Sequence, residues 1–499
     1  MIRRTPTLVS VSMMALLLTP VVSIAQQSNA PTAVLPLTTR SAKVRSLMDQ
    51  VWNLALDQVE QAKAIVVLRQ AVNIDPNFAM GHQLLAQTSL DPAEQVREQR
   101  KAFATRTHAT PAEQLVIEWF QDSADHKLIP AITAMNTVLS QYPQDKWVVF
   151  LSNLWLTQQT QYERATVVFE HSGLDSPGLL NNTAYTYAFL RQFDKAFALM
   201  DKYVAAMPTD ANPQDSYAEI LRMAGHFDQA IQRYRAALAT DPEFYSSQFG
   251  IADTYSLMGD QNRARKEYAI GFHKFPLPEL HRIQWQTREA ITFIREGNFS
   301  AADHAFQAIA NHAHSKQMSQ VEADTYRQMA MYQRHPKQAL AFLAKAEAAM
   351  HQGKNTMPAA LQQELAQILR ARVEADLNLG NKRLAGSALR QLERMSQGSD
   401  DKLIDTAYHG AAGAVRFSEH KYADAVSHLE EDPNNPLSLR LLAVAYQRIG
   451  DNANAQRTNE TLANLNDPSL EQALVVPAFR TCNQDPNCSS GLKNASLKQ

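Results

Sequence analysis

Cysteine is nearly absent: Cys482 and Cys488 are the only two in 499 residues, and both lie close to the C-terminus. A bond between them would staple a tail and contribute little to a core. Glycine is scarce at 16 residues, and few stretches alternate apolar and polar side chains, which argues against a β fold. No charge of one sign dominates, since the formal net charge is −2 with 20% charged residues. That balance gives no reason to expect a nucleic-acid surface or strong attraction to anionic lipid. Beyond the first 25 residues no run is long and apolar enough to span a bilayer. Chemistry-bearing motifs are missing too. There is no His-Glu-x-x-His string and no Gly-x-Ser-x-Gly elbow, and Gly353-Lys354-Asn355-Thr356 lacks the earlier glycine of a phosphate loop.

What is present begins with an export-like start. Arg3 and Arg4 precede an apolar stretch from Leu8 to Val22, and Ser23-Ile24-Ala25 follows as a small-x-small site. Residues 1–25 therefore read as a signal peptide cut after Ala25, placing the mature chain in the periplasm or outside the cell. Residues 26–40, rich in Gln, Ser, Thr, Ala and Pro, read as an unstructured leader. In an oxidising compartment Cys482 and Cys488 are expected to close a small disulfide loop around the turn residues 483–487. The alternative, a metal site, lacks a nearby histidine. His304, His312 and His314 form the densest histidine group, but no Cys or carboxylate completes a ligand set, and a solvated turn is the simpler reading. No metal, cofactor or catalytic residue is expected.

The rest of the chain is rich in Ala, Leu, Gln and Arg, which are strong helix formers. It also repeats itself. Pro208, Pro242 and Pro276 are 34 apart, as are Ala196, Ala230 and Ala264, and Met200, Tyr234 and Tyr268. Ala184, Ala218 and Ala252 keep the same spacing, and so do Tyr187, Leu221 and Tyr255; Gly225 and Gly259 fall in register. Within each window apolar residues recur at three and four, the stripe of an amphipathic helix. Ala224-Gly225-His226 interrupts one stripe and Phe227-Asp228 opens the next, so each window is a helix, a turn and a second helix. Small residues at a crossing let axes approach to about 8–10 Å. Each proline stops the second helix, because it cannot donate the next backbone bond.

This order of small residue, aromatic, Gly, Ala, aromatic and Pro resembles the tetratricopeptide repeat. The residues that carry the resemblance are Ala218, Leu221, Gly225, Phe227, Ala230, Tyr234, Ala237 and Pro242. Gln214 stands at the family's Trp position and Tyr217-Ala218 at its Leu-Gly pair. The resemblance implies an all-α fold, an α-solenoid of stacked antiparallel helix pairs wound into a right-handed superhelix. Divergent repeats are expected over 41–170, three clean units over 177–276, degenerate repeats over 283–398 and C-terminal units over 399–468. About ten to twelve pairs fit between residues 41 and 468. The stretches 91–117 and 351–361 break the register. Residues 469–499 hold no repeat; a capping helix near Leu470 to Val476 is expected to cover the last repeat, followed by the tail with the disulfide loop.

In the family, first helices line a concave groove. Carried over by register, the groove positions are Asn181, Tyr185 and Phe189, then Asp215, Glu219, Arg222 and Met223, then Phe249, Asp253 and Leu257. Aromatics, a soft methionine and several acids suit a peptide with apolar anchors and some basic character. The Lys/Asn/Arg clamp by which some family members hold a C-terminal carboxylate is replaced by Asn181, Ser216 and Ser246, so its basic half is missing. The expected function is that of an extracytoplasmic scaffold binding a protein or peptide partner, in an envelope or secretion assembly, and not an enzyme. The alternative is an extracytoplasmic small-molecule sensor or a non-catalytic subunit of an envelope enzyme.

Overall fold

The computed structural model describes residues 34–353 and 356–484, which belong to one compact unit. Among the described residues there are twenty-five α-helices and no strand. Twenty-four of the helices stack as twelve successive pairs, and each pair packs on its neighbours in sequence. The central pairs are Pro177–Phe189 with Phe193–Ala206, Asn212–Met223 with Phe227–Thr240, and Tyr245–Met258 with Gln261–Lys274. The 91–117 stretch holds a helix at Pro92–Thr105, a short 3-10 turn and the start of the helix Pro111–Ala124.

The repeated columns explain this stacking. Ala184, Ala218, Ala252, Ala196, Ala230 and Ala264 all have zero exposure. Met200, Tyr234 and Tyr268 are buried beside them. Gly250 shows how close the packing is: a Cβ there would lie 2.4 Å from the Tyr234 ring. A ring from one unit thus rests against the backbone of the next unit's first helix. The turn inside each central pair needs one residue in the left-handed region. Gly225 and Gly259 hold it at φ +86° and +95°, and Arg191 holds it 34 residues earlier at φ 57°. Glycine adopts this conformation readily, whereas Arg191 is held there at a cost of about 1–2 kcal/mol.

Two segments depart from the expectations. Residues 34–40 are not a loose leader. Leu35 is buried in the N-terminal core and its N–H donates to Asp145 Oδ2 at 2.8 Å. Thr38 N–H donates to Glu113 Oε2 at 3.0 Å, and Thr39 Oγ1 to Asp75 Oδ2 at 2.8 Å. Leu35 and Leu37 pack on the core while Glu113 and the helix-capping Asp75 and Asp145 take the donors of this segment, so it is tied down as a strap.

The C-terminal helix runs over Leu470–Gln484, longer than the expected cap, and packs beyond the last pair. It touches Asn452–Ala463, Pro436–Ile449 and, much earlier in the chain, Glu279–Arg295. Leu470 and Ala473 join the core of Ile283, Ile291 and Ile294, while Val475, Val476 and Phe479 join that of Leu439, Leu442 and Tyr446. Its apolar residues are shared between two cores, so it bridges first helices several pairs apart. Cys488 lies outside the described residues, and with it the expected disulfide pairing. The array also meets itself: His126 Nε2 lies 3.2 Å from Asp401 Oδ2, which accepts from Gln363 Nε2 at 2.9 Å.

The Ala230 position tests the packing argument. Ala230→Leu should overpack the crossing and destabilise by about 1–3 kcal/mol. Ala236→Leu, on the exposed face of the same helix, should change stability by no more than about 0.5 kcal/mol. Chemical denaturation of both variants checks this; equal losses would mean that the crossing is misassigned.

A buried charged cavity on the first helices

Four first helices, Pro177–Phe189, Asn212–Met223, Tyr245–Met258 and Glu279–Arg295, bound a cavity of about 290 Å³. Successive helix turns deliver side chains to it at a spacing of three and four: Asp215, Glu219 and Arg222 from one helix, Asn181 and Tyr185 from the preceding one. Asp253 and Arg288 come from the next two, and Tyr234 reaches in from a second helix.

Most of these polar groups hold one another. Arg222 Nη2 donates to Glu219 Oε1 at 2.6 Å, and Tyr185 OH donates to Glu219 Oε2 at 2.9 Å. Arg222 Nη1 lies 3.5 Å from Asp253 Oδ2 and 3.2 Å from Tyr234 OH. Arg288 and the Tyr268 hydroxyl also bond to Asp253. Arg222 and Asp253 are both fully buried, so their charges persist only because they are paired. Burial favours the neutral Glu219, but the Arg222 and Arg288 charges and the bonds from Tyr185 and Arg222 outweigh it, and its carboxyl lies below the usual range. Burial pushes the Tyr234 hydroxyl well up against the opposing Arg222 charge, with the nearby acids adding to the rise, and pushes the Tyr268 hydroxyl well up together with Asp253.

Asp215 differs. Ser247 Oγ donates to its Oδ1 at 2.6 Å, but no cation pairs with it among the described residues. Burial first, and the nearby Glu219 charge, raise its carboxyl from 3.8 to about 7, against the Ser247 bond and the Arg222 charge. Asn181 is 7% exposed, and its Oδ1 is buried without a hydrogen-bond partner. An acceptor left in that state costs about 1–3 kcal/mol.

Of the groove positions inferred from register, Asn181, Tyr185, Asp215, Glu219, Arg222 and Asp253 line this cavity, and so do Ser216 and Ser246. The other four do not. Phe249 is core, at 0% exposure, stacked on Trp285 with ring centroids 4.2 Å apart. Its ring gains more by packing between units than by facing a groove, and Gly271 leaves room for it. Leu257 is buried. Phe189 is 40% exposed but stacks on Tyr162. Met223 packs with Leu180, Tyr187 and Leu199, and its carbonyl accepts from Asn466 Nδ2 at 3.2 Å. Trp285 and Arg288 were missed because the clean register stops at Pro276 and their helix, at 17 residues, is longer than those of the three clean units.

Further along, the C-terminal helix already occupies the first-helix face. Residues 467–471 border a cavity of about 770 Å³ with the helices Glu279–Arg295, Ser319–Met331 and Pro358–Asn378. Ala473 and Leu474 border another, of about 850 Å³, beside Glu374 and Arg440. Among the described residues no group of three His, Cys, Asp or Glu is arranged to hold a metal ion. His312 and His314 instead contact Glu279 and Glu322 respectively.

No family model matches the chain, and no curated protein matches it. Solved structures do. A tetratricopeptide repeat protein from Parabacteroides merdae is 14% identical with a TM-score of 0.36, covering 54% of this chain and 93% of its own. The Cut9-Hcn1 hetero-tetramer of the APC/C is 13% identical with a TM-score of 0.40, covering 83% and 74%. The C-terminal part of a TPR repeat-containing protein from Cytophaga hutchinsonii is 18% identical with a TM-score of 0.28, covering 51% and 98%. Likenesses this weak say nothing of function. The class follows from this chain's own architecture: consecutive helix pairs on a 34-residue register make it a tetratricopeptide-like α-solenoid.

The state of Asp215 has a measurable consequence. Its carboxyl holds a proton more tightly folded than unfolded, so between about pH 4 and pH 7 the native state binds more protons and stability falls as pH rises. Asp215→Asn keeps the shape and removes the charge. At pH 8 it should be more stable than the wild type by about 2–4 kcal/mol, the gap closing by pH 4. Denaturation curves at the two pH values check this; a variant less stable at pH 8 would refute the assignment.

Proposed function

We propose that the protein is an extracytoplasmic scaffold that holds a protein or peptide partner against its first helices, as part of an envelope or secretion assembly. The observation that carries this reading is the cavity between residues 181 and 288, where charged side chains are buried facing a space and not only one another. A stacked array with no partner would gain by filling that space with apolar side chains. The N-terminal residues, with Arg3 and Arg4 before an apolar run and Ser23-Ile24-Ala25 after it, support export. No helix among the described residues is long and apolar enough to cross a membrane. The cavity size, about 290 Å³, lies at the small end of ligand pockets, which favours small-molecule sensing as the second reading.

Two experiments test the proposal. A photo-crosslinking residue at Ser246, on the cavity, should trap a partner in a native envelope fraction, while one at the exposed Gln232 should not. Equal labelling at both, or none at Ser246, would overturn the groove as the contact. Sequencing the N-terminus of the secreted or periplasmic protein should find Gln26 first; a chain that stays in the cytoplasm with Met1 intact would overturn export.

A further inference from the structure

The cavity has an imbalance of charge, and beside it a hydrogen-bond acceptor without a donor. Its lining carries three acids, Asp215, Glu219 and Asp253, against two arginines, Arg222 and Arg288. Both arginines are engaged with Glu219 and Asp253. Asp215 is the acid left without a cation. Asn181 Oδ1, a few residues along the neighbouring helix, is an acceptor without a donor. Asp215 therefore calls for a cation and Asn181 Oδ1 for an N–H donor, and one group with both properties answers both. An anionic ligand would meet Asp215 directly and find its cations already held. The rings of Tyr185 and Trp285 in the same lining offer apolar surface for an alkyl stem. Arg222 Nε, a buried donor without a partner, offers a bond to a carbonyl.

We propose that this cavity receives a cationic side chain of a partner polypeptide, a lysine ammonium or an arginine guanidinium, whose N–H groups are accepted by Asp215 and Asn181 Oδ1. The assignment rests on the groove reading above and gives it a chemistry. It also explains why a carboxyl is kept in a place that is costly for the empty protein: the incoming cation restores its charge and releases its proton. Affinity should then rise with pH through about 7. The groups lining the cavity with Asp215 are Tyr185 and Asn181 from the preceding first helix, Glu219 and Arg222 from its own, and Tyr234, Asp253 and Arg288 from three later helices. Tyr185, Tyr234, Arg222 and Arg288 are all pushed upward, and Glu219 downward, away from neutral pH.

The test uses the full mature chain and three blocked peptides identical except for a central lysine, arginine or norleucine, with n-butylammonium as a fourth probe. Titration calorimetry at pH 8 should show the lysine or arginine peptide binding at least about 10-fold more tightly than norleucine, and about 10-fold more weakly at pH 6. Asp215→Asn and Asn181→Leu should each abolish the preference, and retained cooperative unfolding of Asp215→Asn at pH 8 separates lost binding from lost folding. Norleucine binding as well as lysine, no binding by any peptide, or a preference that survives Asp215→Asn would each overturn the proposal. Crosslinking at Ser246 without a cation preference would leave the scaffold reading standing and remove this assignment. Binding of n-butylammonium as tight as the lysine peptide, with no crosslink, would keep the cation site and replace the polypeptide partner with a small amine.

Discussion

Neither helix of a pair can shield its own apolar stripe, so each pair must be covered by the next, and the alanines at the crossings decide how closely. With Ala218, Ala230 and Ala252 at zero exposure, helix backbones approach until an aromatic ring fills what is left. Tyr234 against Gly250 is that contact at its tightest. A ring placed there has its hydroxyl at the far end, and the hydroxyl emerges on the first-helix side. Tyr234 meets Arg222 and Tyr268 meets Asp253. The packing column and the polar site are thus two ends of the same side chains.

That coupling accounts for the character of the central cavity. Its charges sit on helices, cross-braced by neighbours in successive units, and Asp215, Arg222 and Asp253 are shut off from solvent. The charges of Arg222 and Asp253 are paired within this frame, whereas Asp215 has no cation and Asn181 Oδ1 no donor. The rest of the first-helix face has a different fate. From Glu279–Arg295 to Pro436–Ile449 the chain's own C-terminal helix lies against it, with Leu470, Val476 and Phe479 buried. From residue 177 onward the face is therefore divided between a stretch bordered by the protein's own last helix and a stretch it leaves polar.

Much of this was legible in the sequence wherever the 34-residue spacing was intact. The alanine, aromatic and glycine columns identify the helix pairs between residues 177 and 276, and the same register finds six residues of the cavity. It misplaces Phe249 and Leu257, since helix periodicity gives direction only to within one face and an aromatic at the edge turns toward whichever neighbour offers packing. It is blind to Trp285 and Arg288, which lie on a longer helix beyond the clean register. The strap at 34–40 follows a stretch rich in Gln, Ser and Thr and carries no helical or strand pattern of its own; Leu35 and Leu37 bind because the N-terminal core has room for them, and Asp75, Glu113 and Asp145 take the donors of the strap.

The sequence by itself determined the unit: which residues are helical, where each helix turns back, and which small residues meet at a crossing. Those are local properties, set by side-chain size and backbone preference within a few turns. Which carboxylate finds an arginine, where the last helix lies and which acceptor is left without a donor were decided only when units were stacked. Such outcomes depend on side chains dozens or hundreds of residues apart sharing one desolvated space, and no local pattern encodes that distance.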